Sequence, residues 1–184
     1  HLKLSYIIGA NDMYDVAKFQ VSVKKPQVLT VSATKQTEST QVWLLPYSVK
    51  KAATCKQGTV SSAETFQTDY AYYTLDMPYD EQQVSCPILN EAGEVIGMLQ
   101  PGADATKTDK CYAVSAHFAN ALQMSGLSLN DPTLRATAIP KAIPDQQDQA
   151  LLSLFVSSSV MDSLQYVDYV ERFIQKFPQS AEGY

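Results

Sequence analysis

Histidine, cysteine and glycine are scarce in this chain of 184 residues, which holds two, three and seven of them. With only His1 and His117, and with Cys55, Cys86 and Cys111 lacking CxxC spacing, no zinc-binding pattern emerges. No metal and no cofactor is therefore expected. The cysteines can form at most a single internal disulfide, and each reads otherwise as a small buried apolar residue. No run approaches the roughly 20 apolar residues that a membrane helix needs, and no charged-then-apolar signal segment opens the chain, so membrane insertion is not expected. Because the sequence opens on His1 rather than Met, any targeting segment would lie upstream. Basic residues number 14 against 19 acidic ones, a net charge of −5. The clustered positive surface that displaces counterions from a phosphate backbone is missing, which argues against nucleic acid as a partner.

What the chain does have is an apolar fraction of 45%, enough to fill a core. From Leu2 to about Val114 it reads as short strands separated by polar turns, as in an antiparallel sandwich or barrel. The strand candidates are Leu4 to Ile8, Val16 to Val21, Gln41 to Leu45, Tyr70 to Leu75, Cys86 to Leu89 and Glu94 to Leu99, with a further strand around Cys111 to Val114. Asn90-Glu91-Ala92-Gly93 carries hairpin-turn chemistry, so the strands on either side of it should pair antiparallel. Ala116 to Gln123 predicts a short helix ended by Gly126.

The character then changes. Pro132, Pro140 and Pro144 punctuate a stretch without periodicity, which predicts an extended surface connector. Beyond Asp145, Leu151, Leu154 and Phe155 fall on one helical face. A second run places Leu164, Val167, Val170, Ile174 and Phe177 at helical spacing, with Tyr166, Tyr169 and Phe173 widening the face. Ser159 followed three residues later by Asp162 is a candidate entry cap for this run, and Pro178 marks the stop. Two antiparallel helices are expected, with Leu164, Val167 and Ile174 buried.

Three ordered segments carry a resemblance. NDMYDVAKFQV (Asn11 to Val21) is similar to the stretch of trypsin-like serine proteases in which the triad aspartate precedes a strand. VSCPILNEAGEVIGMLQPG (Val84 to Gly102) resembles their nucleophile turn, hairpin and following strand. KCYAVSAHFANAL (Lys110 to Leu122) resembles the closing strand and helix of bacterial members related to the high-temperature-requirement proteases. The resemblance implies a mainly β fold: a trypsin-like antiparallel β-barrel, a partial double barrel, with a C-terminal α-helical hairpin. Its domains would be a barrel over 1–126 with an incomplete N-terminal half, a linker over 127–144 and a helical hairpin over 145–184. From Ala150 to Tyr184 the chain spans about one 34-residue tetratricopeptide period. That hairpin therefore reads either as the start of such repeats or as part of the β domain. Barrel and repeats together look like exported Bacteroidetes proteins, which implies a periplasmic or secreted location.

By resemblance Asp15 occupies the place of the triad acid, against the plainer reading of a solvated turn residue. The nucleophilic serine of the family stands three residues before the proline matched by Pro87, and that position is Val84, which has no hydroxyl to deprotonate. Ser85 stands where the family has a glycine, and reads as an ordinary turn serine or a shifted nucleophile; Gln82 replaces a second glycine. In the family the histidine precedes the aspartate by roughly 45 residues. His1 is too close to Asp15 for that, and His117 follows it, so His117 reads as a surface or capping residue. Substrate would pair with the strand edge at Gln100, Pro101 and Gly102, with Ala113 and Val114 walling the pocket. The expectation is a non-catalytic module that binds peptide or protein. Two alternatives stand beside it: an active endopeptidase using Ser85, Asp15 and an upstream histidine, and a β-rich module unrelated to proteases.

Overall fold

The computed structural model describes residues 3–47, 55–66, 70–101 and 109–180. They pack as two compact units, 27–121 and the combination of 1–26 with 122–184. These packing units do not follow the linear division 1–126, 127–144 and 145–184, because the first strands share a core with the last helices.

In the unit 27–121, six strands close an antiparallel barrel. They are β3 (Gln41–Leu44), β4 (Lys56–Phe66), β5 (Tyr70–Asp76), β6 (Pro87–Leu89), β7 (Val95–Gln100) and β8 (Lys110–Ser115). Their order round the barrel is β3-β4-β5-β8-β7-β6, and β3 meets β6 through Trp43 opposite Leu89 and Leu44 opposite Ile88. Period-two alternation explains the closure: in β5, Ala71, Tyr73 and Leu75 point inward, to meet Val42, Leu44, Val60, Ile88 and Leu99. The polar tip of Tyr73 is not wasted, since its hydroxyl accepts the Gln36 amide at 3.1 Å. Asn90 to Gly93 makes the expected hairpin, with Gly93 at φ +76° and the Asn90 side chain taking the Glu94 amide at 2.9 Å. Strand β4 was not expected from the sequence. The helix α1 (Ala116–Ala121) ends before Gln123, so Gly126 does not terminate it.

In the other unit β1 (Lys3–Asn11) and β2 (Val16–Ser22) form a separate two-stranded antiparallel sheet. The expected surface connector is in fact structured and partly buried. It holds a 3-10 turn, Ser128–Asn130, and a one-turn helix α2 (Pro132–Arg135), and then lines up with β1: Ile7 donates to the Pro140 carbonyl, and Ala142 donates back to Ile7, each at 2.9 Å. Leu129, Leu134 and Ile143 drive this by burying themselves with Ile7.

Helices α3 (Gln147–Val160) and α4 (Ser163–Lys176) complete that core. Asp162 caps α4, accepting the Gln165 amide at 2.9 Å. The buried face of α4 is Tyr169 and Phe173, flanked by Tyr166, Val170 and Phe177. Leu164 is 85% exposed and Val167 54%, and Ile174 is only half-buried, so the expected face is corrected by one step round the helix. On α3 Leu154 is buried but Phe155 is exposed, while Ala150, Ser153 and Ser157 face inward. Both serines are satisfied: Ser153 shares a 2.5 Å hydrogen bond with the Tyr169 hydroxyl, and Ser157 donates to the Leu154 carbonyl at 2.6 Å. No helix among the described residues is long and apolar enough to cross a membrane.

Candidate functional site

The turn before β6 begins with a single 3-10 turn, Glu81–Gln83. Its geometry is set by amide donors that it consumes itself: Gln83 donates to the Asp80 carbonyl at 2.8 Å, Val84 to Glu81 at 3.3 Å and Cys86 to Gln83 at 3.0 Å. Side chains lock it further. The Gln83 amide oxygen accepts from the Asp80 N–H at 2.9 Å, and the Lys56 ammonium, reaching from β4, holds Asp80 at 2.8 Å and Gln83 at 3.0 Å.

Val84 is half-buried and Ser85 exposed. Ser85 has φ +66°, the left-handed region that glycine occupies without cost, so a serine here retains the backbone shape of a glycine position. Its N–H donates to Leu99 at 2.8 Å, and Leu99 donates to Cys86 at 2.9 Å, which fastens the turn alongside the end of β7. The Ser85 carbonyl accepts the Tyr47 hydroxyl at 2.8 Å. Partial burial, and then the neighbouring Cys86, push the Tyr47 phenol up from its ordinary pKa, so it stays a donor. Among the described residues the Ser85 hydroxyl has no hydrogen-bond partner, and no imidazole addresses it.

Asp15 sits at φ +50° in the β1–β2 turn, exposed, and belongs to the unit of 1–26 and 122–184, whereas Val84 and Ser85 belong to 27–121. His117 is exposed at the start of α1, its ring 5.7 Å from that of Tyr70. His1 lies outside the described residues. Gln100 ends β7, buried and paired with Tyr112, and Pro101 follows it exposed. Gly102 lies outside the described residues. Ala113 and Val114 are buried in β8, opposite Leu99 and Met98, with Ala113 inside the barrel core.

Beside the turn a shallow hollow of about 610 Å³ is lined by Pro46, Tyr47, Tyr79 and Asp80 to Gln83. Sequence reasoning missed Tyr47 and Lys56. Their only signal was an aromatic after a proline and a lysine in a polar run, and neither reveals a partner so far along the chain. The cysteines are free: Cys86 and Cys111 are buried and Cys55 is exposed. Burial, helped by Asp76, pushes the Cys111 thiol up to about 12, which leaves it protonated and inert. No cluster of metal-ligating side chains occurs among the described residues.

No family model matches the sequence, and no curated protein does. Solved structures do match. The active form of the Rv3671c protease from M. tuberculosis superposes with a TM-score of 0.52 at 16% identity over 64% of this chain and 56% of that one. A serine endoprotease from Yersinia pestis gives 0.51 at 16% identity, over 62% and 40%. The inactive form of the Rv3671c protease gives 0.50 at 17%, over 63% and 62%. The chain thus spans less than two thirds of each of these structures. At such identities the likeness establishes the trypsin-like fold and nothing finer.

Proposed function

We propose that this trypsin-like domain is non-catalytic and serves as a peptide- or protein-binding or scaffolding module. One observation carries the reading: Val84, which by resemblance takes the nucleophile's place and has no hydroxyl, has its N–H, which an oxyanion hole would need, bonded to the Glu81 carbonyl inside a 3-10 turn. Loss of a serine nucleophile costs on the order of 10⁶ in turnover. Peptide capture has no such requirement, since an extended chain can be held by main-chain pairing, which the resemblance assigns to Gln100, Pro101 and Gly102, and the hollow at Tyr47 and Tyr79 offers a further surface. Exposed Phe155, Leu164 and Val167 on the helical hairpin suit protein contacts of the kind made by tetratricopeptide-like repeats. A periplasmic or secreted location accords with this reading.

Fluorophosphonate labelling of full-length protein tests it, because the probe reports an activated serine. No labelling and no hydrolysis of an unfolded protein substrate is expected. Labelling that disappears in Ser85→Ala would overturn the proposal, and would instead favour an endopeptidase in which Ser85 is the nucleophile, with Asp15 and a histidine outside this sequence.

A further inference from the structure

A second hollow, of about 300 Å³, lies wholly within the unit of 1–26 and 122–184. That is the lower end of the range for small-molecule sites, roughly 300 to 1,000 Å³. Its apolar wall comes from Leu129, Ile139, Val160 and Met161. Its charged lining is lopsided: Arg135, Lys141 and Arg172 against the single carboxylate of Asp168, a surplus of two positive charges in a chain of net charge −5.

The three cations are held in different ways. Arg172 is fixed, donating through Nε to Asp168 at 2.9 Å and through Nη1 to the Lys141 carbonyl at 2.8 Å, with its guanidinium 5.2 Å from the Tyr169 ring centroid. Lys141 donates two of its three ammonium protons to carbonyls, Thr137 at 2.5 Å and Ile139 at 2.9 Å, so its charge is oriented but not neutralised. Arg135 is exposed at the rim, and its guanidinium has no partner among the described residues. Burial pulls the Lys141 pKa down from the ordinary lysine value, as expected of an ammonium short of both water and a counterion.

We propose that this hollow binds a small monocarboxylate with a short apolar body, its carboxylate taken by Arg135 and Lys141 and its body laid against Leu129, Ile139, Val160 and Met161. A carboxylate supplies the missing negative charge and accepts in the planar geometry that a guanidinium offers. An apolar neutral ligand would leave the surplus charge unanswered. A dianion would set its second charge against the apolar wall.

Such a head and body can come from a free branched acid or from a peptide chain end. Titration calorimetry of the 184-residue chain with 4-methylpentanoate and with N-acetylleucine separates these, each compared with its neutral amide. At least one acid should bind about tenfold more tightly than its amide, the value of a charge-assisted hydrogen bond. Preference for 4-methylpentanoate identifies the free acid, and preference for N-acetylleucine the chain end. Arg135→Gln, at an exposed position with no structural partner, should weaken acid binding about tenfold and leave the amide unchanged. Ala138→Trp, at an exposed position lining the hollow, should abolish both. Absence of binding by either acid, equal binding of acid and amide, or acid binding indifferent to both substitutions would overturn the proposal.

Discussion

Installing the missing hydroxyl by Val84→Ser should not create a protease, and the structure says by how much it falls short. The new side chain would stand in a turn whose amides are already spent, Val84 on Glu81 and Gln83 on Asp80. Freeing the Val84 N–H means breaking a hydrogen bond worth about 1 kcal/mol and reshaping a turn that Lys56 pins at Asp80 and Gln83. Until that happens one oxyanion donor is missing, at a cost of about 10² to 10³ in rate. No histidine among the described residues addresses the turn. The lack of a general base among the described residues is the larger deficit, since removing a single member of such a triad can cost on the order of 10⁶. The substitution itself is benign to the fold, because Val84 is only half-buried. A fluorophosphonate, followed by mass spectrometry of the peptide containing position 84, is the assay. The variant should remain unlabelled over hours, like the parent. Stoichiometric labelling at position 84 within minutes would refute the reasoning, since it would mean that the turn releases its amides readily and that a base is within reach.

Phe173→Ala should destabilise the chain by about 3 to 5 kcal/mol in urea unfolding, because the ring is fully buried, whereas Leu164→Ala should stay within about 0.5 kcal/mol; the reverse ranking would mean that α4 presents its other face. Gly58→Ala should cost about 1 to 3 kcal/mol, since a Cβ there would stand 2.5 Å from the Met77 Cβ and 2.7 Å from the Asp76 carbonyl oxygen; a variant as stable as the parent would deny that close approach. The Cys111 thiol, raised from 9.0 to about 12, stays protonated in the folded chain while the unfolded chain releases its proton. The stability it contributes is therefore complete below pH 9 and lost towards pH 12, by up to about 1.4 kcal/mol per pH unit, and the parent minus Cys111→Ala difference measured over that range should show the fall; a flat difference would refute it.

Much of the barrel was legible because its strands alternate. Tyr70 to Leu75 places every second residue inward, and Asn90 to Gly93 supplies the turn that fixes the register of β6 with β7. Strand β4 was not legible, because Lys56 to Phe66 is rich in Ser and Thr and offers little beyond Val60 to the core cluster, so its place in the barrel depends on its neighbours. The helices failed in a different way. On α4 two apolar stripes compete, and Leu164 with Val167 looks more hydrophobic than Tyr166 with Tyr169. The tyrosines win because the Tyr169 hydroxyl finds Ser153 on α3, a partner that periodicity along one helix cannot reveal.

The candidate site divides along the same line. Spacing back from Pro87 is what singles out Val84 and Ser85 as candidates, because a motif is a local object. The state of the amides was not, because it depends on Lys56 reaching over from another strand. Ser85 then joins the two levels. A residue other than glycine at φ +66° costs of order 1 kcal/mol, yet the backbone keeps that shape, held by Leu99 on one side and by Tyr47 on the other. The turn's geometry is thus maintained by the barrel and not by the chemistry it would serve in an enzyme. Valine at position 84 and serine in a left-handed conformation at position 85 are both carried without loss of the barrel, which is the physical condition that the proposed binding role requires.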